Sequence, residues 1–161
     1  MRGPSELGWV PGDLALDREG VARMETPWKI AQALEAEAAA LYTDPRISNS
    51  EGASFDTNLS RSVFANSRGF VGEYRSSSCS LSAVPVASEG ESMERDYWFS
   101  IARGFEGLEK PADIGRIAAQ RAVRRLGAVK VDTQKVPVVF EPRTARSLLG
   151  NIFAAVHGES I

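Results

Sequence analysis

The residues that could carry chemistry are few, and they lie far apart in the sequence. The chain has one histidine, His157, and one cysteine, Cys79. A serine-histidine-aspartate triad would need His157, and one imidazole cannot build a histidine-rich metal site. His157 ends the last predicted helix, where binding of backbone carbonyls is the alternative to catalysis. Cys79 alternates with Leu81 in a predicted strand, so we expect a small buried residue rather than a nucleophile.

A second group of candidates lies around Arg95, which Glu94 and Asp96 flank. Two nearby carboxylates could serve as a general acid and base, and a salt-bridged entry to a strand is the alternative. The next three residues are aromatic and provide either a binding surface or packing against a helix: Tyr97, Trp98 and Phe99. The serine-rich run from Ser76 to Ser82 offers hydroxyls to a ligand or serves a turn and an edge strand. The chain has no Walker-type phosphate loop, paired-cysteine zinc motif or G-x-S-x-G elbow.

The stretch from residue 49 to residue 105 must position most of these groups. Small or polar residues alternate there with apolar ones in short runs, which predicts an antiparallel meander. We expect its turns at Asn-Ser-Arg-Gly (residues 66–69), at Ser-Ser-Ser (76–78) and at Ser-Glu-Gly (88–90). Pro85 lacks an N–H and therefore indicates an edge strand or a bulge.

Side-chain alternation assigns faces to the predicted strands. Leu59, Val63 and Ala65 fall on one face, and residues 80–84 alternate hydroxyl with apolar groups, as in a half-buried strand. Residues 96–102 predict the last strand, with Tyr97, Phe99 and Ile101 on one face and Trp98 on the other. A helix is the alternative for this short aromatic run.

Helices are predicted before and after the sheet region in the sequence. The first begins at Thr26-Pro27, with Thr26 as N-cap, and ends before Pro45. The second runs from Pro111 to Gly127, which supplies the C′ position, and the third from Pro142 to Gly158. A short strand is predicted at residues 136–140. The fold class is therefore α+β: an antiparallel β-meander with two to three helices packed on it, preceded by an irregular lead-in over residues 1–25.

Composition places limits on the function. The 161 residues are 43% hydrophobic and 25% charged, with a net charge of −2. This balance argues against direct nucleic-acid binding, and we expect no membrane association, because no apolar run approaches about 20 residues. The amino terminus has no apolar signal region, and a single cysteine fits a reducing compartment. We expect a cytoplasmic protein.

Several blocks resemble the PmbA/TldD family, and within it the PmbA-type (TldE-type) subunit. These blocks are residues 44–53 (DPRISNSEGA), 64–70 (FANSRGF), 93–98 (M-x-R-D-Y-W), 115–127, 135–140 (KVPVVF) and 147–150 (SLLG). The resemblance covers residues 28–161. Family members continue beyond this region on both sides, so we interpret residues 26–161 as the central α+β domain, truncated at the carboxyl terminus.

The resemblance implies a cytoplasmic zinc-metalloprotease system in which a PmbA-type subunit forms a heterodimer with a TldD-type subunit and takes up extended peptides. The TldD-type subunit carries a His-Glu-x-x-x-His helix. Aligning its motif on Leu148-Leu149 places Gly150 and Ala155 at the histidine positions and Asn151 at the glutamate position. Glycine and alanine offer no ligand, and an amide cannot take a proton from zinc-bound water. We therefore expect no catalytic residue and no metal in this chain, and zinc in the TldD-type partner.

Three hypotheses for the function follow. The first is the central portion of a non-catalytic subunit, inactive alone, whose strands line a peptide channel or an interface. The alternatives are a metallopeptidase subunit that contributes to catalysis and a regulator of DNA gyrase without protease activity. Candidate channel or interface positions lie in the family-like blocks: Asn66, Ser67, Arg95, Asp96, Tyr97 and Trp98.

Overall fold

The computed structural model describes residues 16–158, which divide into two compact units at residues 128 and 129. The first unit holds a sheet and three helices, and the second holds one helix preceded by extended chain. The elements in chain order are α1 (Glu19–Ala22), α2 (Thr26–Thr43), β1 (Ile47–Ala65), β2 (Val71–Glu89), β3 (Ser92–Arg95), β4 (Trp98–Ala102), a 3-10 turn (Phe105–Gly107), α3 (Pro111–Arg125) and α4 (Pro142–Val156). The α+β class is confirmed. The boundary predicted between residues 25 and 26 stays a prediction.

The sheet is an antiparallel meander with β2 at its centre. β1 pairs with one side of β2, and β3 and β4 pair with the other side. β3 and β4 keep the same register, because Arg95 lies opposite Val86 and Trp98 lies opposite Ala83. They form one line that is interrupted at residues 96 and 97, opposite Pro85. Proline lacks the N–H that a ladder requires at this point.

Two predictions about strands were wrong, and a third held in one of its two alternatives. Residues 76–78 do not turn; β2 runs through them, because Ser77 is buried and its backbone N–H donates to the carbonyl of Leu16 (2.8 Å). For Pro85, the edge alternative fails because β2 is the central strand, but the bulge alternative fits: the register of β1 with β2 shifts between Ser50, the partner of Pro85, and Ala53. Residues 136–140 form no strand, since a β-strand needs a neighbour and this segment pairs with none among residues 16–158.

The two β-hairpins have turns that match the sequence. Residues 66–70 close the β1–β2 hairpin, and Gly69 has a φ of 86°. Gly90 lies in the tight turn between β2 and β3 with a φ of 59°, as the predicted turn at residues 88–90 requires. A positive φ is cheap only for glycine, so these two residues fix where the chain reverses.

The helices begin and end close to the predicted residues. α2 ends at Thr43, before Pro45, but its N-cap is Glu25 rather than Thr26. α3 begins at Pro111, and Gly127 has a φ of 72°, as expected for a C′ glycine. α4 begins at Pro142 and ends at Val156, two residues before the predicted stop.

α2 and α3 cover one face of the sheet. Alternate residues of β2 point to this face and are buried, among them Cys79, Leu81 and Ala87. Small residues dominate the contact between the two helices, where Gly115 lies against the backbone at Ala36. Two clusters of buried residues form the core: Ala36, Leu81, Ala83, Ile114 and Ala118; and Ala40, Ile47, Ala87, Ala119 and Ala122. Within residues 16–128, no helix covers the opposite face of the sheet.

Candidate functional site

The interruption between β3 and β4 forms a groove of about 650 Å³. We call it the interruption groove. It lies where Val84 and Pro85 of β2 have no ladder partner on the side of β3 and β4. The groove brings together four of the residues that the sequence singled out, Glu94, Arg95, Asp96 and Tyr97, with others that it did not: Glu51, Val84, Val86, Met93 and Arg125.

Ion pairs hold the charged walls of the interruption groove in place. Arg95 pairs with Glu51 of β1, and Glu94 pairs with Arg125 of α3 at 3.2 Å. Asp96 lies 3.4 Å from the guanidinium of Arg121. The predicted salt-bridged strand entry is therefore what the structure contains.

The open face of the sheet continues from this groove as a band of hydroxyl groups. The hydroxyls of Ser54 on β1 and Ser82 on β2 form a hydrogen bond with an Oγ–Oγ distance of 3.1 Å. The hydroxyls of Ser60 and Ser76 form another at 3.2 Å. Tyr97 stacks on Phe99 beside this band, with ring centroids 6.1 Å apart. The sequence analysis singled out the serines but did not predict that their hydroxyls form a row on one face of the sheet. Their spacing of two residues was the signal for this arrangement.

Trp98 does not share this surface. It lies on the helix-covered side, as alternation predicted, and its indole Nε1 donates to Glu109 at 3.0 Å. The Arg121 guanidinium lies over its ring, 5.4 Å from the centroid. A cation over an indole face stabilises packing. Trp98 therefore belongs to the contact between β4 and α3.

Asn66 and Ser67 lie at the tip of the β1–β2 hairpin. The Asn66 side-chain oxygen accepts hydrogen bonds from the backbone N–H groups of Arg68 (3.0 Å) and Phe70 (3.2 Å). Asn66 thus shapes the turn. β2 runs without a break from Val71 beside the tip to Val86 in the interruption groove, a length of about 50 Å at about 3.3 Å per residue. The tip and the groove are therefore separate surfaces.

α4 carries the helix motif that the resemblance singled out. Gly150, Asn151 and Ala155 are exposed within the second unit, and a Cβ at Gly150 would meet nothing within 4 Å. Glu141 caps the helix by accepting from the Thr144 N–H at 3.2 Å. The described residues contain no group of three or more His, Cys, Asp or Glu side chains suited to a metal. The residues of α4 therefore do not fit a catalytic zinc ion.

The lone histidine and cysteine contribute no reactive group to the interruption groove. His157 is the exposed residue that follows α4. Cys79 is 1% exposed, as predicted, and burial raises the pKa of its thiol. A raised pKa disfavours the thiolate that a nucleophile requires. Within residues 16–158, no helix has the length and apolar character that a bilayer crossing demands.

Comparison with known proteins finds a matching family and several relatives. A sequence model described as PmbA/TldA metallopeptidase central domain matches residues 19–126. Metalloprotease PmbA of Escherichia coli O157:H7 is 40% identical over 132 residues, which are 82% of this chain and 29% of that protein. A PmbA homologue of Haemophilus influenzae is 39% identical over 129 residues, or 80% and 29% of the two chains. This chain thus spans about three-tenths of the length of these curated relatives.

A solved structure shares the fold. The crystal structure of a proposed modulator of a DNA gyrase from Thermotoga maritima superposes with a TM-score of 0.68 over 75% of this chain and 28% of that one. At 20% identity, this likeness shows the fold alone. The sequence model covers the entire meander together with α2 and α3. The chain belongs to the PmbA family of metallopeptidases, as its sequence blocks predicted, and residues 19–126 are the central domain of that family.

Proposed function

We propose that this chain is the central region of a non-catalytic, PmbA-type subunit of a cytoplasmic zinc-metalloprotease complex. Its partner is a TldD-type subunit that supplies the zinc, and the substrate is an extended peptide or an unfolded protein. The observation that carries this proposal is the chemistry of α4. In the alignment on Leu148-Leu149, Gly150 and Ala155 stand at the positions of the partner's histidines and Asn151 at that of its glutamate.

Catalysis by a zinc peptidase requires three protein ligands and a base near the bound water. None of the three α4 residues can perform either task, because two lack side-chain donors and the third is an amide. The zinc and the general base of the complex are therefore assigned to the partner.

The open face of the sheet supports the assignment of a substrate path. An extended peptide has unpaired N–H and C=O groups along its whole length, and a row of serine hydroxyls can both donate and accept. Ser76, Ser80 and Ser82 provide such a row on β2, and Tyr97 provides an apolar wall beside it. Contacts of this kind do not depend on the peptide sequence, which suits a processing enzyme.

Paired substitutions in the two subunits test the division of roles. The chain, with whatever flanking sequence its gene encodes, is co-expressed with a TldD-type subunit, and cleavage of an unstructured peptide is measured. We expect Asn151→Glu in this chain to leave cleavage unchanged, because a glutamate between Gly150 and Ala155 has no histidine ligands beside it and so no zinc-bound water to act on. We expect replacement of the partner's motif glutamate by glutamine to abolish cleavage. Equal loss from both changes would overturn the proposal, and so would cleavage by this chain without its partner.

The peptide path has its own test at Tyr97, which is 53% exposed. We expect Tyr97→Ala to lower kcat/KM of the complex by about fivefold, the equivalent of about 1 kcal/mol of lost contact. Tyr42→Ala is the matched control, because Tyr42 is 90% exposed on α2 and does not line the groove. The same kcat/KM for both variants would remove Tyr97 and its groove from the substrate path.

A further inference from the structure

The outer edge of β1 is open for pairing. Among residues 16–158, β1 pairs with β2 alone. Its irregular part ends at Ala53, after which the register with β2 continues without a shift to Ala65. An open edge of this kind exposes a row of backbone N–H and C=O groups, which readily pair with another strand.

A second groove, of about 330 Å³, runs between this edge and α2. Its walls include Ile30, Ala33 and Leu34 from α2 and Phe55 from β1. Ile30 is 53% exposed and Leu34 57%, although both are large apolar residues one helical turn apart. The groove therefore joins an apolar helix stripe to an unpaired strand.

The two ends of this groove carry opposite charges. Lys29 lies at one end and Glu37 at the other, eight positions apart, or about 12 Å along the helix axis. α2 runs antiparallel to β1: Trp28 contacts Phe55, while Ala40 packs with Ile47. Lys29 also donates to the Thr57 hydroxyl at 3.0 Å, which fixes its level on the strand.

This arrangement is complementary to itself under a two-fold rotation. An axis beside Phe55 would place residues 53–57 of two copies antiparallel, as strands related by a two-fold must be. The same rotation brings Lys29 of each copy against Glu37 of the other and lays the Ile30 and Leu34 stripes together. We propose that the β1 edge and the α2 stripe form a symmetric interface between two copies of this chain.

A second copy fits this surface better than a single peptide strand does. A peptide can pair with the backbone of β1, but it brings no helix to cover Ile30 and Leu34. A second copy covers the stripe and satisfies both charges at once. The inference goes beyond the proposed function, because it concerns self-association and needs neither zinc nor the TldD-type partner.

Charge reversal tests the interface on the purified chain without a partner. The dimer dissociation constant is measured by sedimentation equilibrium for the wild type, Lys29→Glu, Glu37→Lys and the double variant. Each single change replaces two attractive pairs by two repulsive ones, so we expect about tenfold or greater weakening. The double variant restores both pairs and should return to within about threefold of the wild type. Glu35→Lys, on the exposed side of the same helix, is the matched control and should not weaken association.

Three results would overturn the proposal. The first is a chain that sediments at its monomer mass of 17.4 kDa at all concentrations up to about 1 mM. The second is a dimer that neither single reversal weakens. The third is a double variant as weak as the single ones. Glu37→Lys leaves the Lys29–Thr57 hydrogen bond in place, so it carries the test by itself if Lys29→Glu does not fold. Peptide cleavage plays no part in these measurements, so failure here leaves the proposed function untouched.

Discussion

Ser77 shows how one residue ties distant parts of the chain to the sheet. It is 1% exposed, and its hydroxyl accepts from the Arg18 N–H (2.8 Å) and donates to the Arg103 carbonyl (2.9 Å). Its own backbone N–H donates to Leu16. The lead-in and the segment after β4 are therefore both fixed at one side chain.

We expect Ser77→Ala to lower the free energy of unfolding by about 1–3 kcal/mol, because it removes two part-buried hydrogen bonds, from the Arg18 N–H and to the Arg103 carbonyl. Denaturant unfolding measures the change. Ser78→Ala is the control, since Ser78 faces the open side and should change stability by at most about 0.5 kcal/mol. Equal effects of the two changes would mean that the Ser77 hydroxyl has no special role.

A second residue-scale prediction concerns acid stability. The side-chain hydrogen bonds from Arg46 lower the pKa of Asp44 from 3.8 to about 2. A carboxylate with a lowered pKa in the folded state stabilises the protein above its unfolded pKa, and this contribution is lost as the pH falls towards the folded pKa. Asp44→Asn should therefore be less stable than the wild type at about pH 7, and the difference should shrink between about pH 4 and about pH 2.

Denaturant unfolding of both proteins across this pH range measures the effect. A difference that stays constant from neutral to acid pH would show that the charge of Asp44 is not its source. Asp44 is partly exposed, so added salt should also reduce the difference at neutral pH.

Alternation along the chain predicted the faces of single residues well. It placed Tyr97 and Phe99 on one side of the last strand and Trp98 on the other, as the structure has them. It could not predict the ion pair between Arg95 and Glu51, which are 44 residues apart, because nothing local marks that contact. The ion pairs of Glu94 and Asp96 could not be predicted for the same reason, since their partners lie on α3.

At the scale of elements, the contact between α2 and α3 depends on Gly115. A Cβ at this position would lie 2.0 Å from the Ala36 carbonyl oxygen and 2.9 Å from the Ala40 nitrogen. Both are backbone atoms within a helix, so neither can move aside alone. Any larger residue must push the two helices apart.

We expect Gly115→Ala to destabilise the first unit by about 1–3 kcal/mol or more, despite the higher helix propensity of alanine. Thermal and denaturant unfolding report the change. Gly150→Ala provides the matched control, because a Cβ there has open space and alanine should stabilise α4 by about 0.5–1 kcal/mol. A Gly115→Ala protein as stable as the wild type would show that the helices are less tightly packed than the structure has them.

The lengths of the helices followed from local signals, and the path of β2 did not. Prolines and glycines bound α2, α3 and α4 closely, since their effect on the backbone is local. Three serines in a row, by contrast, are typical of a turn, and long-range contacts keep them in a strand: they pair with residues 58–60 of β1, and Ser77 forms hydrogen bonds with Leu16 and Arg103. Pro85 was predicted to mark an edge strand or a bulge, but its place in a central strand depended on β3 and β4 pairing on the same side of β2.

For the whole molecule, the family was predictable and the site only in part. Blocks such as residues 64–70 and 93–98 identified the family because each combines a turn or strand signal with uncommon residues in a fixed order. The interruption groove required the fold, because its walls come from β1, β2, β3 and α3. α4 lies outside the matched residues 19–126, so its interpretation depends on the motif alignment.

Zinc content tests the central claim most directly. The heterodimer with a TldD-type subunit and this chain by itself are purified, and the metal is quantified by mass spectrometry. We predict about one zinc per heterodimer, lost when a motif histidine of the partner is changed to alanine and kept with Asn151→Glu in this chain. The chain by itself should hold no stoichiometric zinc. Zinc bound to the chain alone, or retained by a complex whose partner lacks its motif histidine, would contradict the account.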